Sequence, residues 1–245
     1  MTFVIGDIHG EITKLKALIN NIFYLDKNPH LIFIGDYINK GENSKEVLEY
    51  LLEIKINMPQ TIFLIGNHEY YYLQYIKNGT FKDEIIKYGL ETTFKDFQID
   101  FSSIKEKLYL PYKAIFDFLK PFVETDKYFI SHAGVDLNNK DKNFDTLSED
   151  KFFIFKRYDF LSFYNKIHNK IAIFGHTGFN YPYYDGYKIG IDTAASYSKN
   201  NRLTAYCLDK EFFINNLNEL LDLKDMKLDR TPWINKTIPY RMDNK

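Results

Sequence analysis

The sequence holds one cysteine and one tryptophan in 245 residues. It has no apolar stretch near the ~20 residues that span a bilayer. A single thiol, Cys207, excludes an intramolecular disulfide and favours a reducing compartment, so a cytoplasmic protein is expected. The N-terminus lacks a basic region followed by a long apolar stretch, and no secretory leader is expected. A formal net charge of −1 gives no electrostatic case for nucleic acid or a membrane as partner. Repeats and low-complexity linkers are also missing. The triplets Asn78-Gly-Thr80 and Asn235-Lys-Thr237 match a glycosylation acceptor, which in a cytoplasmic protein is chance.

What is present suits one α/β domain: 45% apolar and 27% charged residues on a chain long enough to bury a full core. The abundant Phe and Tyr, with many Lys, Asn and Ile, read as a base-composition bias of the source genome. Continuous apolar runs at 2–6, 31–35 and 61–65 alternate with helical spacing over 11–23 (Ile12, Leu15, Leu18, Ile19, Ile22) and 44–55 (Val47, Leu48, Leu51, Leu52), with Ser44 as N-cap. This alternation predicts parallel strands joined by helical crossovers. Residues 70–126 read as a helical insert, with patches at about 69–77, 82–90, 103–108 and 111–119. Further strands are expected at 127–131 and 171–174. A loop covers about 136–149 and a helix 150–166. Short β segments at 181–184, 187–192 and 202–208, with a turn at Asp185-Gly186, should form a second sheet packed on the first. Residues 211–245 read as a short helix and a tail docked by Trp233.

The chemistry lies at the ends of the strands. Each of the five apolar runs delivers a metal-competent residue within a few positions: Asp7 and His9, then Asp36, Asn67 with His68, His132 and His176. A lone Asp or His after a strand is usually a cap. Five in succession, with glycines beside most of them, is hard to attribute to capping. Ligands in parallel α/β sheets gather at the carboxyl ends of strands. A mixed Asp/His/Asn set suits two divalent ions, manganese first and iron or zinc as alternatives. Such pairs serve phosphoryl displacement. His30 and His168 fall outside these loops and read as surface or core histidines.

Gly6-Asp-Ile-His-Gly10, Gly35-Asp-Tyr-Ile-Asn-Lys-Gly41, Gly66-Asn-His-Glu69, His132-Ala-Gly134 and Gly175-His-Thr177 resemble, in order, the motifs of the calcineurin-like metallophosphoesterases. They are most similar to the serine/threonine protein phosphatases in their bacterial and phage form, over about residues 2–208. The resemblance implies an α/β fold: a two-sheet β-sandwich flanked by helices, with a dimetal site at the strand ends. It implies a catalytic domain over 1–210 that includes the 70–126 insert, with 211–245 packed on it. Asp7, His9 and Asp36 would bind the first metal. Asp36 would bridge to a second held by Asn67, His132 and His176. A hydroxide between the metals would attack phosphorus in line. His68 would be the general acid, worth about 10²–10⁴-fold. Phosphorylated proteins or small phosphoesters are the implied substrates, and the oligomeric state is left open.

Three departures qualify this. The usual Asp-Arg-Gly is Asn39-Lys40-Gly41, so Asn39 can hydrogen-bond His68 without a charge, and Lys40 offers a cation without a guanidinium fork. Ile65 stands where the phosphatases carry Arg. Arg157, in Phe152-Phe-Ile-Phe-Lys-Arg157, is the remaining candidate to grip phosphate with Lys40 and Asn67, and its alternative is an exposed helical arginine. Gly178 cannot supply the extra histidine ligand found in many nucleases of the superfamily, which favours the phosphatase branch. Tyr37, Tyr70, Tyr71 and Tyr72 read as packing before substrate contact, and Glu69 as structural. A dinucleoside polyphosphate or nucleotide hydrolase is the alternative enzyme, although Glu69 stands where those usually have Asp. A non-catalytic scaffold is the alternative of another class, although scaffolds typically lose ligands or the acid histidine and this chain keeps all of them.

Overall fold

The computed structural model describes residues 1–87, 90–135, 158–226 and 228. The first sheet grows from three parallel strands, β1 (Thr2–Ile5), β2 (His30–Phe33) and β3 (Ile62–Phe63), joined by helices α1 (Ile12–Leu25) and α2 (Ser44–Asn57). After β3 come α3 (Asn67–Asn78), α4 (Lys82–Lys87) and α5 (Leu90–Phe97). A π turn at Lys105–Tyr109, a 3-10 turn at Leu110–Tyr112 and α6 (Lys113–Phe116) complete the insert.

The second sheet has the order β4-β5-β6-β8-β7, from β4 (Phe122–Glu124), β5 (Tyr128–Ser131), β6 (Ile171–Phe174), β7 (Tyr183–Tyr184) and β8 (Lys188–Gly190). Helix α7 (Tyr158–Ser162) precedes β6. β5, β6 and β8 run parallel, so their carboxyl ends share one edge.

The sheets pack face to face because their strands are apolar on both sides. Side chains alternate across a strand. Val4, Ile32, Ile130, Ile173 and Ile189 therefore meet between the sheets. Phe3, Ile5 and Phe33 point the other way, onto Leu15, Leu18, Val47 and Leu51 of the helices. On the far side of the second sheet, Phe129 and Phe174 pack with Phe160 and Leu161 of α7. Strands buried on both faces read as continuous apolar runs, which made β1, β2, β5 and β6 visible in the sequence.

Several expectations need correction. The segment expected at 202–208 forms β9 (Thr204–Cys207), which pairs antiparallel with β1 in the first sheet. Among the described residues no α-helix follows residue 211, only a 3-10 turn at Leu223–Asp225. Phe212–Asn215 is β10 and Leu220–Asp222 is β11, and this hairpin extends the first sheet to the order β11-β10-β9-β1-β2-β3. The sheet thus crosses the boundary expected at 210. Phe213 and Ile214 bury on opposite faces, a strand requirement that outweighs the helical spacing of the segment. The N-cap of α2 is Asn43, and Ser44 turns its hydroxyl to the N–H of Asn39. The insert also contributes β4 and the separate helix α5. Arg157 and Trp233 lie outside the described residues, as does most of the loop and helix expected over 136–166.

Candidate dimetal centre

The strand ends bring the expected side chains to one edge. Asp7 follows β1, Asp36 follows β2, Asn67 and His68 open α3 after β3, His132 follows β5 and His176 follows β6. Asp7, Asp36, Asn67, His68, His9 and His132 are buried, and His176 is half-buried. Two glycines permit this crowding. A Cβ on Gly66 would lie 2.3 Å from Asp36 Oδ1, and one on Gly175 would lie 2.1 Å from Asp7 Oδ1. Any side chain there would push a carboxylate out of place.

Asp36 sits between two donor sets. Its Oδ2 lies 3.3 Å from His9 Nε2, and its Oδ1 lies 3.4 Å from His132 Nε2. His9 Nδ1 donates to the Ile38 carbonyl at 3.0 Å and His132 Nδ1 to the Ile34 carbonyl at 2.9 Å. Each backbone bond sets the ring so that Nε2 is the atom a metal would meet, the usual device of metal-binding histidines. Asn67 Oδ1 lies 3.1 Å from His132 Nε2 and 2.9 Å from His176 Nδ1. His9, Asp36 and His68 form one cluster with metal-ligand spacing, and Asp36, His132 and His176 form another. The residues present therefore fit two divalent ions sharing Asp36.

Electrostatics support a cationic occupant. Burial, with the carboxylates of Asp192 and Asp36 beside it, pushes the Asp7 carboxyl well above its usual range, although the His176 N–H reaches both its oxygens at 3.2 and 3.0 Å. Burial would also raise Asp36, but the imidazoles of His132, His68 and His9 reverse this and hold it well below the carboxylate range. Burial lowers His68 strongly and His132 as well, and Asp36 opposes both shifts.

Glu69 holds the loop that carries Asp36. Its Oε2 accepts the N–H of Asp36 at 2.8 Å and of Gly66 at 3.2 Å, and its Oε1 accepts the N–H of Tyr37 at 2.9 Å. Burial and the nearby Asp36 push its pKa up to about 8, against those backbone donors. The loop needs such a clamp because Asp36, Asn39 and Lys40 all have positive φ, at 55°, 69° and 64°.

The other expected residues divide. Asn39 Nδ2 lies 2.7 Å from His68 Nδ1, so that pair is in contact. Lys40 Nζ donates to His9 Nε2 at 2.7 Å and lies 5.6 Å from the centre of the Tyr197 ring. The ammonium must leave Nε2 before His9 can act as a ligand. Ile65, just after β3, is buried. Tyr37 is packing, with its hydroxyl donating to the Leu64 carbonyl at 2.6 Å. Tyr72 is more than packing, since its hydroxyl donates to Asn39 Oδ1 at 3.0 Å. His30 is exposed, and exposed His168 pairs with Glu124 at 3.1 Å, away from the centre.

Two buried residues were missed in the sequence. Thr93 of α5 donates to Asn39 Oδ1 at 2.7 Å, and nothing local marks it. Asp192 follows β8 and acts on Asp7. It obeys the same strand-end rule that found the others.

A family model described as calcineurin-like phosphoesterase matches residues 2–208. This chain belongs to that family. Serine/threonine-protein phosphatase SIT4 of Candida albicans is 34% identical over 96 residues, which cover 38% of this chain and 30% of that protein. This chain spans under a third of the length of the curated relatives it matches. A crystal structure described as a candidate diadenosine tetraphosphatase superposes with a TM-score of 0.63 at 18% identity, covering 87% of this chain and 91% of that one. The cold-active protein-tyrosine phosphatase of a psychrophilic Shewanella gives 0.64 at 13% identity, covering 91% and 80%. These two share the fold. No helix among the described residues is long and apolar enough to cross a membrane.

Proposed function

We propose that this calcineurin-like phosphoesterase is a dimetal-dependent hydrolase of phosphate monoesters, working by the chemistry of the serine/threonine phosphatases it resembles. The observation that carries this is Asp36, whose two oxygens face separate histidines across the two donor clusters. Asp7, His9 and Asp36 would hold one divalent ion, and Asp36, Asn67, His132 and His176 the other. Manganese is the first choice, with iron or zinc also suited to this set. Such ions polarise phosphoryl oxygens and make hydroxide available near neutral pH.

The chain's own residues orient the substrate. Asn67, with Oδ1 turned to the imidazoles, presents its NH₂ to a phosphoryl oxygen. Lys40 supplies a cation to the phosphate once it has left His9. Arg157 is assigned to phosphate on the sequence alone. His68, with Nε2 3.8 Å from Asp36 Oδ2, serves the leaving oxygen, and Asn39 sets its ring. We take the catalytic unit to run through β11, because β10 and β11 complete the sheet that carries Asp7 and Asp36. A cytoplasmic setting fits the buried lone cysteine, and the motifs fit a bacterial or phage source.

The alternative, hydrolysis of dinucleoside polyphosphates, is favoured by one observation, the neutral partner Asn39 on His68. Glu69 does not discriminate, because it is buried beneath the ligand loop. The test is a panel in Mn²⁺: a phosphothreonine peptide, a phosphotyrosine peptide, diadenosine tetraphosphate and a phosphodiester. Metal-dependent release of phosphate from a monoester supports the proposal. Hydrolysis of none of the four overturns it.

A further inference from the structure

Helix α1 buries Ile12, Leu15, Leu18, Ile19, Ile22 and one charged residue, Lys14. Its Nζ donates to the Ala195 carbonyl at 2.5 Å and the Ser198 carbonyl at 2.9 Å, and lies 3.3 Å from Glu11 Oε2. An ammonium has three N–H groups, and here three acceptors face it. A buried ammonium is costly unless it is paired and hydrogen-bonded, so these contacts are what permit a lysine on this face.

Lys14 thereby holds the tip of the loop between β8 and β9. The base of that loop is tied separately. Thr193 Oγ1 donates to the Arg202 carbonyl at 2.8 Å, the Ala194 N–H to Asp192 Oδ1 at 2.8 Å and Asn201 Nδ2 to the Ala194 carbonyl at 3.0 Å. Tyr197 stands at the tip, 40% exposed, with its ring centre 5.6 Å from Lys40 Nζ. These pieces converge on one turn. Glu11 and Lys14 lie at the start of α1, directly after His9-Gly10. The Gly41 N–H donates to the His9 carbonyl at 3.0 Å, and Lys40 Nζ reaches His9 Nε2 at 2.7 Å.

We propose that Lys14 and Tyr197 are positioning residues for Lys40: Lys14 fixes the loop tip at 195–198, and the Tyr197 ring holds the Lys40 ammonium ready for a phosphate once it has left His9. The proposal rests on the phosphoesterase reading above, in which Lys40 meets the phosphate, and adds to it two residues outside the motifs.

A lysine needs such a shelf more than an arginine would. Its ammonium is a point charge on a flexible stem, whereas a guanidinium is a pre-organised fork. Released from His9 into solvent, the ammonium would have to be immobilised again for each phosphate bound. An aromatic face within about 6 Å attracts it, at an exposed site by enough to change an equilibrium about 2–5-fold. The ring takes up charge without supplying a lone pair, so N–H groups remain for phosphoryl oxygens. It does this only where it stands, and Lys14 sets that place from the turn that also carries His9.

Two measurements test this. The first is the ¹³C–¹H spectrum of lysine-labelled protein loaded with Zn²⁺, which is diamagnetic, with Lys40 assigned by its loss in Lys40→Met. In the wild type the Lys40 ε-CH₂ signal should lie upfield of the exposed lysines, shifted by the ring. It should return among them in Tyr197→Leu. It should move toward them in Glu11→Gln/Lys14→Met, which removes the clamp without changing net charge. A wild-type signal already among the exposed lysines overturns the proposal. The second is calorimetric binding of inorganic phosphate to the Mn²⁺-loaded protein. Tyr197→Leu and the double variant should each bind it about 2–5-fold more weakly, and Tyr197→Phe, which keeps the ring, should match the wild type. Unchanged binding in both weakened variants, or equal losses in Tyr197→Phe and Tyr197→Leu, overturns the proposal. Unchanged binding in the double variant alone removes Lys14 from it, because a lysine that only stabilised the fold would lower Tm and leave phosphate binding as it was. If metal is bound but no phosphoester is hydrolysed, the phosphoesterase reading falls while these measurements still decide the positioning. If the wild type takes up no metal, both fall.

Discussion

Glu69→Ala removes the acceptor of the backbone donors that shape the Asp36 loop. The N–H groups of Asp36, Tyr37 and Gly66 lie 2.8, 2.9 and 3.2 Å from its oxygens, and the Ile38 N–H lies at 3.4 Å. A buried donor left unsatisfied costs about 1–3 kcal/mol, so the three shorter bonds set the loss at roughly 3–9 kcal/mol. Water entering the emptied space keeps it toward the lower end, about 3–5 kcal/mol. Domains are stable by about 5–15 kcal/mol, and at this size each kcal/mol moves Tm by ~2–4 °C. Calorimetry should therefore show Tm falling by about 6–20 °C in the metal-free variant. Because the same loop carries Asp36, Mn²⁺ affinity should fall with it. A Tm within ~3 °C of wild type and an unchanged Mn²⁺ isotherm would refute the clamp.

Other perturbations probe the rest of the site. His68→Asn should keep its metal content, read by elemental analysis, while kcat falls by about 10²–10⁴-fold; loss of metal would mean ligand and leaving-group residue are misassigned. Lys40→Met should bind the first Mn²⁺ more tightly by calorimetric titration, because no ammonium then competes for His9 Nε2, yet should raise KM for phosphate esters. Glu69 also sets a pH dependence. Its pKa is about 8 in the folded chain against a usual 4.5. The folded state thus holds the proton more tightly than the unfolded one. The stability this contributes is fully present below about pH 4.5 and is lost as pH rises through about 8. The fall in Tm of the metal-free protein across that window should be shallower in Glu69→Ala.

The sequence shows the parallel strands because Phe3-Val4-Ile5 and Ile171-Ala-Ile-Phe174 are apolar on both faces and end in Gly plus a polar residue. The order of the candidate ligands is visible for the same reason, since each is local to its strand end. Asp192 is equally local to its strand end, but the strand before it, β8, is only three residues long. Other features depend on distant partners. Phe212-Phe213-Ile214 becomes a strand only because β9 offers it an edge. Thr93 matters only because α5 folds back onto a loop 54 positions earlier. Ser44 looks like a helix cap and serves Asn39 instead.

The central claim is that Asp36 is shared by two ions. Titration calorimetry with Mn²⁺, checked by elemental analysis, tests it directly. The wild type should take up two ions per chain, and Asp36→Asn should weaken both sites at once. A wild type that binds one ion or none, or an Asp36→Asn variant that still binds two with unchanged affinity, would contradict the account.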